Sequence, residues 1–373
     1  MTKAAELAAL IGSQSALSNR NMAYNGAMNV AQRGTSSTGI GASSGYFTVD
    51  RFKLAPNGTA GRLTMSQSSV TDLPGFANAL KLDCTTADTS VAAAEFLILS
   101  QFFEGQDLQR LKKGTSEAES ITISFYVKGN AAATYTVEIY DADNNRSNNR
   151  RFSVTTSWNR VSLTYEGDTT GALDDDNANS LIVNIWLHAG SDSTSGTQNT
   201  AWQTLAAAER ANSNDTSFFD STDRTLEITG FQMEIGETAT PFEHKTFGDD
   251  LAACQRYFTK SGELGQSDEW FAGVATHADQ GNIYAQSLDG NQDRAPVHVR
   301  FPTYMRAAPT VVYYPGRSGV DNTAGSITSY NGNTLVTTST KPSGGVAGLT
   351  GRFSGTDSDN IAYTFQFTAD AEF

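Results

Sequence analysis

The stretch Thr225 to Ser261, TLEITGFQMEIGETATPFEHKTFGDDLAACQRYFTKS, holds a strand, a break and a helix in one run. From Leu226 to Ile235 apolar and polar residues alternate, the period of a strand with one buried face, which makes it the last strand of a sheet. Gly236 and then Thr240-Pro241 end that ladder, because proline has no N–H to give and restricts the residue before it. Beyond the break, Asp249 and Asp250 put negative charge near the start of a short helix, and Leu251, Cys254, Tyr257 and Phe258 fall at helical spacing. One domain therefore closes here and another opens. The organisation expected is a terminal helix and linker over 1–20, a first β domain over 21–245, a linking helix over 246–260, and a C-terminal β-sandwich over 257–373.

Upstream, short runs separated by polar turns recur: Arg62 to Gln67, Ala79 to Cys84, Ile121 to Lys128, Tyr135 to Tyr140, Arg151 to Thr155, Val161 to Tyr165 and Leu181 to His188. Many short antiparallel strands with no helices of useful length between them mean an all-β sandwich, most often a jelly roll at this length. Phe96-Leu97-Ile98-Leu99 is a continuous apolar run, the mark of a central strand buried on both faces. Asn25-Gly26 is a hairpin signal between Met22 to Tyr24 and Met28 to Gln32, Tyr46 to Leu54 is expected as one strand, and Leu108 to Leu111 as one helical turn. Thr2 to Gly12 is patterned as a short amphipathic helix, marginal alone. Downstream, strand candidates run from Phe271 to Thr276 through Val297 to Phe301 and Thr310 to Tyr314 to Ile361 to Thr368.

A formal net charge of −14 argues against a nucleic-acid partner, which demands a concentrated Lys/Arg surface. No apolar run is long enough for a membrane helix, and the first residues lack the apolar core of a secretion signal. Synthesis in a cytoplasm is the expectation. Cys84 and Cys254 show no C-x-x-C spacing and suit buried packing roles. The four histidines have no H-x-x-x-H or H-E-x-x-H arrangement, so linear spacing gives a zinc centre no support.

The pairing of GFQMEIGETATPFEHK with a downstream LAACQRYF resembles the junction found in bacteriophage tail-fibre and related receptor-binding virion proteins. Further matches lie at Asn25-Gly26, Gln32-Arg33-Gly34, Tyr46 to Phe52, and Phe301 to Pro309 (FPTYMRAAP). The resemblance implies a carbohydrate-binding-module-like jelly roll followed by a tip domain, in a structural virion protein that is usually a homotrimer. Its implied partners are other copies of itself, other tail or capsid proteins, and a host-surface glycan or protein. A capsid decoration or head-fibre protein with a purely structural role is the first alternative, and a carbohydrate-active enzyme or its binding module the second.

For chemistry, no nucleophile elbow, P-loop or triad stands out, and no pair of carboxylates has a privileged context for glycoside hydrolysis, so the chain is expected not to be an enzyme. Large aromatics in or beside polar loops are the candidate ligand contacts: Trp202, Phe218, Phe219, Trp270 and Tyr330. Trp158 and Trp186, in strand contexts, are expected in the core. Asp141, Asp143 and Asn145 offer oxygens at alternate positions, as a calcium loop begins, but Arg146 and Phe152 stand where an EF-hand needs Gly and Glu. A hairpin turn is the expectation there and a structural calcium ion the minority alternative. No other cofactor is implied.

Overall fold

The computed structural model describes residues 19–261, 283–286, 295–315, 327–329, 335–336, 343–353 and 362–373. It divides into two units, one of Ser36–Thr246 with the residues up to Asn29, the other of Val30–Thr35 and Phe247–Phe373. The terminal helix expected over Thr2 to Gly12 and the strand over Phe271 to Thr276 lie outside the described residues.

The first unit is an all-β jelly roll of two antiparallel sheets. One sheet runs in the order β1 (Ser36–Ile40), β4 (Arg62–Ser69), β5 (Asn78–Thr86), β13 (Thr225–Ile235), β7 (Ile121–Gly129) and β10 (Asn159–Tyr165). The other runs β12 (Gln203–Thr204), β9 (Arg146–Val154), β8 (Ala133–Asp141), β11 (Asn179–Ala189), β6 (Phe96–Glu104), β3 (Lys53–Asn57) and β2 (Gly45–Tyr46). Most connections cross from one sheet to the other, so neighbours in a sheet are seldom neighbours in sequence. Alternation then fills the space between the sheets: Ile123, Phe125 and Val127 of β7 face Tyr135, Val137 and Ile139 of β8 in one core. The apolar run of β6 is buried on both faces, as its composition requires. Leu97 and Leu99 enter the main core, while Ile98 turns to a small separate cluster with Trp186 and Ala211.

Two stretches depart from the strand pattern. Asn25-Gly26 makes a turn without flanking strands, and it packs on β13 where the register with β7 shifts between Thr229 and Gln232. Phe231 N donates to Gly26 O at 2.8 Å, and a Cβ on Gly26 would stand 2.1 Å from Phe231 O, so only glycine fits. The strand expected over Tyr46 to Leu54 is broken by a turn at Asp50-Arg51. Arg51 has φ +73° and is fully buried, and its guanidinium donates to Phe102 O at 2.8 Å, a demand a regular strand could not meet. Within Leu108 to Leu111 the expected helical turn is the 3-10 turn Gln109–Leu111, and a second one, Gly105–Asp107, precedes it.

The second unit is a smaller β-sandwich. Its larger sheet is built on β22 (Ala362–Asp370), which pairs with β14 (Phe258–Lys260), β15 (Ile283–Gln286), β17 (Thr310–Pro315) and β18 (Ile327–Ser329), with β19 (Leu335–Val336) beyond β18. The other sheet is β16 (Ala295–Arg300), β21 (Gly348–Phe353) and β20 (Ser343–Gly345). Phe365 and Phe367 of β22 meet Val297 and Leu349 of the smaller sheet in a common core. The helix Phe247–Gln255 belongs to this unit and is not a free linker: Cys254 is fully buried, and Tyr257 N donates to Cys254 O at 2.9 Å. Gln32 and Arg33 belong here too, through Gln32 Nε2 to Phe258 O (2.8 Å) and Arg33 to Asp370 (3.0 Å). Both cysteines are buried, and neither is in a disulfide.

Candidate functional site

Along β16 the side chains alternate, Val297 and Phe301 entering the core while His298 and Arg300 face outward. The register with β21 sets His298 opposite Thr350 and Arg300 opposite Gly348. β20 and β21 form a tight hairpin whose two turn residues are Val346 and Ala347. Gly348 makes the close approach possible: its φ is +153°, and a Cβ there would lie 2.0 Å from Val299 O.

The chain leaving β16 is tied to that hairpin tip twice. Phe301 N donates to Ala347 O at 3.1 Å, and Met305 N donates to Val346 O at 2.8 Å. Phe301 and Met305 are both buried, so Pro302-Thr303-Tyr304 must arch outward between two fixed points. Tyr304 is consequently 69% exposed, and Val346 beside it 41%. A single exposed apolar residue means little, but these two line one pocket of about 540 Å³ together with His298, Arg300, Thr303 and Thr350. The lining therefore combines an aromatic face, a guanidinium with donors in a fixed fork, an imidazole and two hydroxyls. Among the described residues the lining contains no Asp or Glu, and so none of the paired carboxylates of glycoside hydrolysis.

The residues expected from sequence to touch ligand are not brought together. Phe218 and Phe219 are fully buried in the jelly-roll core and cannot meet a ligand; the Phe219 ring lies directly on the backbone of Gly61, where a Cβ would come within 2.4 Å of it. Trp202 is half-buried against the same core, its indole N–H donating to Glu166 O at 2.7 Å and its ring centroid 5.4 Å from Lys113 Nζ. Trp270 and Tyr330 lie outside the described residues. Trp186 is buried, donating to Glu138 at 3.1 Å, whereas Trp158 sits half-buried at the surface with its N–H on Asp72 at 2.8 Å and Lys128 over its ring. Loop composition does not single out Tyr304, whose one sequence signal is a tyrosine isolated between Pro302-Thr303 and the buried Met305.

The calcium alternative meets a lysine. Asp141 is fully buried and its carboxylate is 2.5 Å from Lys113 Nζ, so an ammonium already supplies the positive charge. Asp143 instead accepts from Asp174 N at 2.9 Å, and Asn145 accepts from the Tyr140 hydroxyl at 3.2 Å. Asn145 has φ +52° and Asn144 Nδ2 caps Asp141, the marks of a turn between β8 and β9.

No family model and no curated protein matches this sequence. Among solved structures, the chain is similar to the enzymatically active domain of tailspike protein 4 of bacteriophage CBA120, with 10% identity over 58% of this chain and 22% of that one and a TM-score of 0.31. It is similar to the family 11 carbohydrate-binding module from Clostridium thermocellum, described in complex with a β-1,3-1,4-mixed-linked tetrasaccharide, with 11% identity over 56% of this chain and 99% of that one and a TM-score of 0.28. The N-terminal cellulose-binding domain of Cellulomonas fimi β-1,4-glucanase C matches at 10% identity over 50% of this chain and 90% of that one, with a TM-score of 0.26.

Proposed function

We propose that this chain is a non-enzymatic structural virion protein of a bacteriophage, a tail fibre that attaches to a host-surface glycan through its second unit. The order of sequence motifs supports the virion setting. The observation that carries the binding reading is Tyr304, held out between two buried anchors at a pocket whose described lining offers hydrogen-bond donors and no carboxylate. A sugar ring presents an apolar CH face to an aromatic ring and hydroxyls to the polar groups beside it, and this lining provides for both. Assembly as a homotrimer would bring three such weak sites to one surface and raise their combined avidity.

The full chain, screened against a panel of bacterial surface polysaccharides, is expected to bind at least one without shortening it. Tyr304→Ala should weaken that binding about tenfold or more, the size of a binding hot spot, and leave the melting temperature unchanged because the ring supports no core. A panel without a single binder, or binding indifferent to Tyr304, would move the function to virion structure alone. Light scattering at two concentrations tests the trimer; a monomer at both would sink autonomous trimerisation.

A further inference from the structure

Asp88, Glu95 and His188 come from separate places in the jelly roll. Asp88 follows β5, Glu95 precedes β6, and His188 stands in β11 at a register shift that sets it opposite Leu97. One ligand atom from each lies within 4.8 Å of the other two, and all three residues are buried. Among the described residues no other group of three His, Cys, Asp or Glu side chains converges in this way.

Each side chain is aimed by its own hydrogen bonds. The Asp88 carboxylate accepts from Thr59 Oγ1 (2.7 Å), Ala60 N (2.7 Å) and Ser90 N (3.3 Å). Glu95 Oε2 accepts from Ala92 N at 3.0 Å. His188 Nδ1 is joined to Ser217 Oγ at 2.7 Å, which fixes the ring and turns Nε2 toward Glu95 Oε2 at 3.5 Å. That distance is an electrostatic contact without hydrogen-bond geometry, and Nε2 has no hydrogen-bond partner although it is fully buried. Among the described residues neither carboxylate forms an ion pair with a lysine or arginine. Two buried carboxylates thus converge on an imidazole nitrogen that makes no hydrogen bond, with no lysine or arginine ion-paired to either among the described residues.

We propose that Asp88, Glu95 and His188 bind one divalent transition-metal ion of the zinc class. Imidazole favours zinc and its neighbours over calcium and magnesium, which take oxygen. Metal–ligand bonds of about 2.0–2.2 Å in a tetrahedron put neighbouring ligand atoms about 3.3–3.5 Å apart. Nε2 and Oε2, 3.5 Å apart, already stand at that spacing. Ser217 holds the far ring nitrogen, the outer support that metal-bound histidines commonly have. The ion ties the connection between β5 and β6 to β11, a structural role independent of Tyr304.

The full chain, stripped with a chelator and dialysed against zinc chloride, is expected to retain one zinc per chain and to melt at a higher temperature than the stripped protein. Cobalt in its place should give the visible absorption of a four-coordinate ion. Glu95→Gln, which keeps the shape and the bond from Ala92, should lose the bound equivalent and the thermal shift while still folding; His188→Gln should do the same. A metal content near zero, identical melting with and without zinc, or full retention by both variants would overturn the site. Uptake of calcium with no response to zinc would overturn the assigned metal class.

Discussion

Lys113→Met should destabilise the chain by about 3–5 kcal/mol, the cost of stripping a buried ion pair of one partner. Lys113 is 4% exposed, and its ammonium lies 2.5 Å from Asp141 and 3.0 Å from Asp168, both nearly inaccessible. The carbonyls of Thr170 and Gly171 also face the ammonium, at 3.0 and 2.8 Å, and share its three donors with the two carboxylates. Methionine fills the same volume, so packing changes little, but Asp141 is left buried with no cation. Asp168 keeps Arg146, which donates to it through Nε at 2.7 Å and Nη2 at 3.0 Å. The double variant Lys113→Met/Asp141→Asn should therefore recover part of the loss, a coupling that urea denaturation at neutral pH would measure. A single-variant cost below about 1 kcal/mol would place the cluster among solvent-screened pairs instead.

Acid should remove the same contribution. Burial alone would raise the Asp168 pKa, but the hydrogen bonds from Arg146 and Lys113 outweigh it and hold the group below the ordinary carboxylate value. A carboxyl with a lowered folded pKa stabilises the fold above its unfolded pKa of about 3.9, and that stabilisation is lost as pH falls through the folded value. The difference in unfolding free energy between the wild-type chain and Asp168→Asn is therefore expected to be constant near neutrality and to shrink below about pH 4. A difference unchanged into strong acid would show that Asp168 contributes through shape and not charge.

The parts of this fold that were legible in the sequence are those set by local periodicity. The unbroken apolar run Phe96 to Leu99 describes a strand buried on both faces, and the alternation of Leu226 to Ile235 describes a strand; strands stand where both patterns lie, but the polar face of the second is buried too, with Thr229, Gln232 and Glu234 inaccessible. Departures arise where a distant partner overrides the local signal. Asn25-Gly26 carries a hairpin dipeptide, yet its glycine is there to let Phe231 approach. Tyr46 to Leu54 alternates well enough for a strand, but burying the Arg51 guanidinium against Phe102 O needs a turn. The candidate binding surface was hidden for the same reason. Tyr304 is exposed because Phe301 and Met305 are tied to a hairpin tip some forty residues onward, which no window of sequence contains. Linear spacing likewise gives no hint of Asp88, Glu95 and His188, because the jelly-roll crossings and not a motif bring them together.

Phe219→Ala should cost about 3–5 kcal/mol of stability, the usual range for emptying a phenylalanine site in a packed core. In sequence, Phe218-Phe219 sits among polar residues from Asn212 to Asp220 and suits a loop that offers aromatic rings to a sugar. The chain instead turns both rings inward. Phe219 packs on Phe218 and on His188 with ring centroids 5.7 and 5.5 Å away, and its N–H donates to Ser217 Oγ at 3.1 Å. Its carbonyl accepts from Asp88 N at 2.8 Å, so the loop is fastened by backbone as well as ring. Gly61 beneath the ring has no side chain to move into the space, and a cavity left there should stay largely open. Urea denaturation would register the loss as a lower midpoint, while glycan binding per folded molecule should match the wild-type chain. Wild-type stability with lost glycan binding would return Phe219 to a ligand site. Measured beside Tyr304→Ala, which is expected to lose binding and keep its melting temperature, the variant separates a ring that holds the fold from a ring that meets a partner.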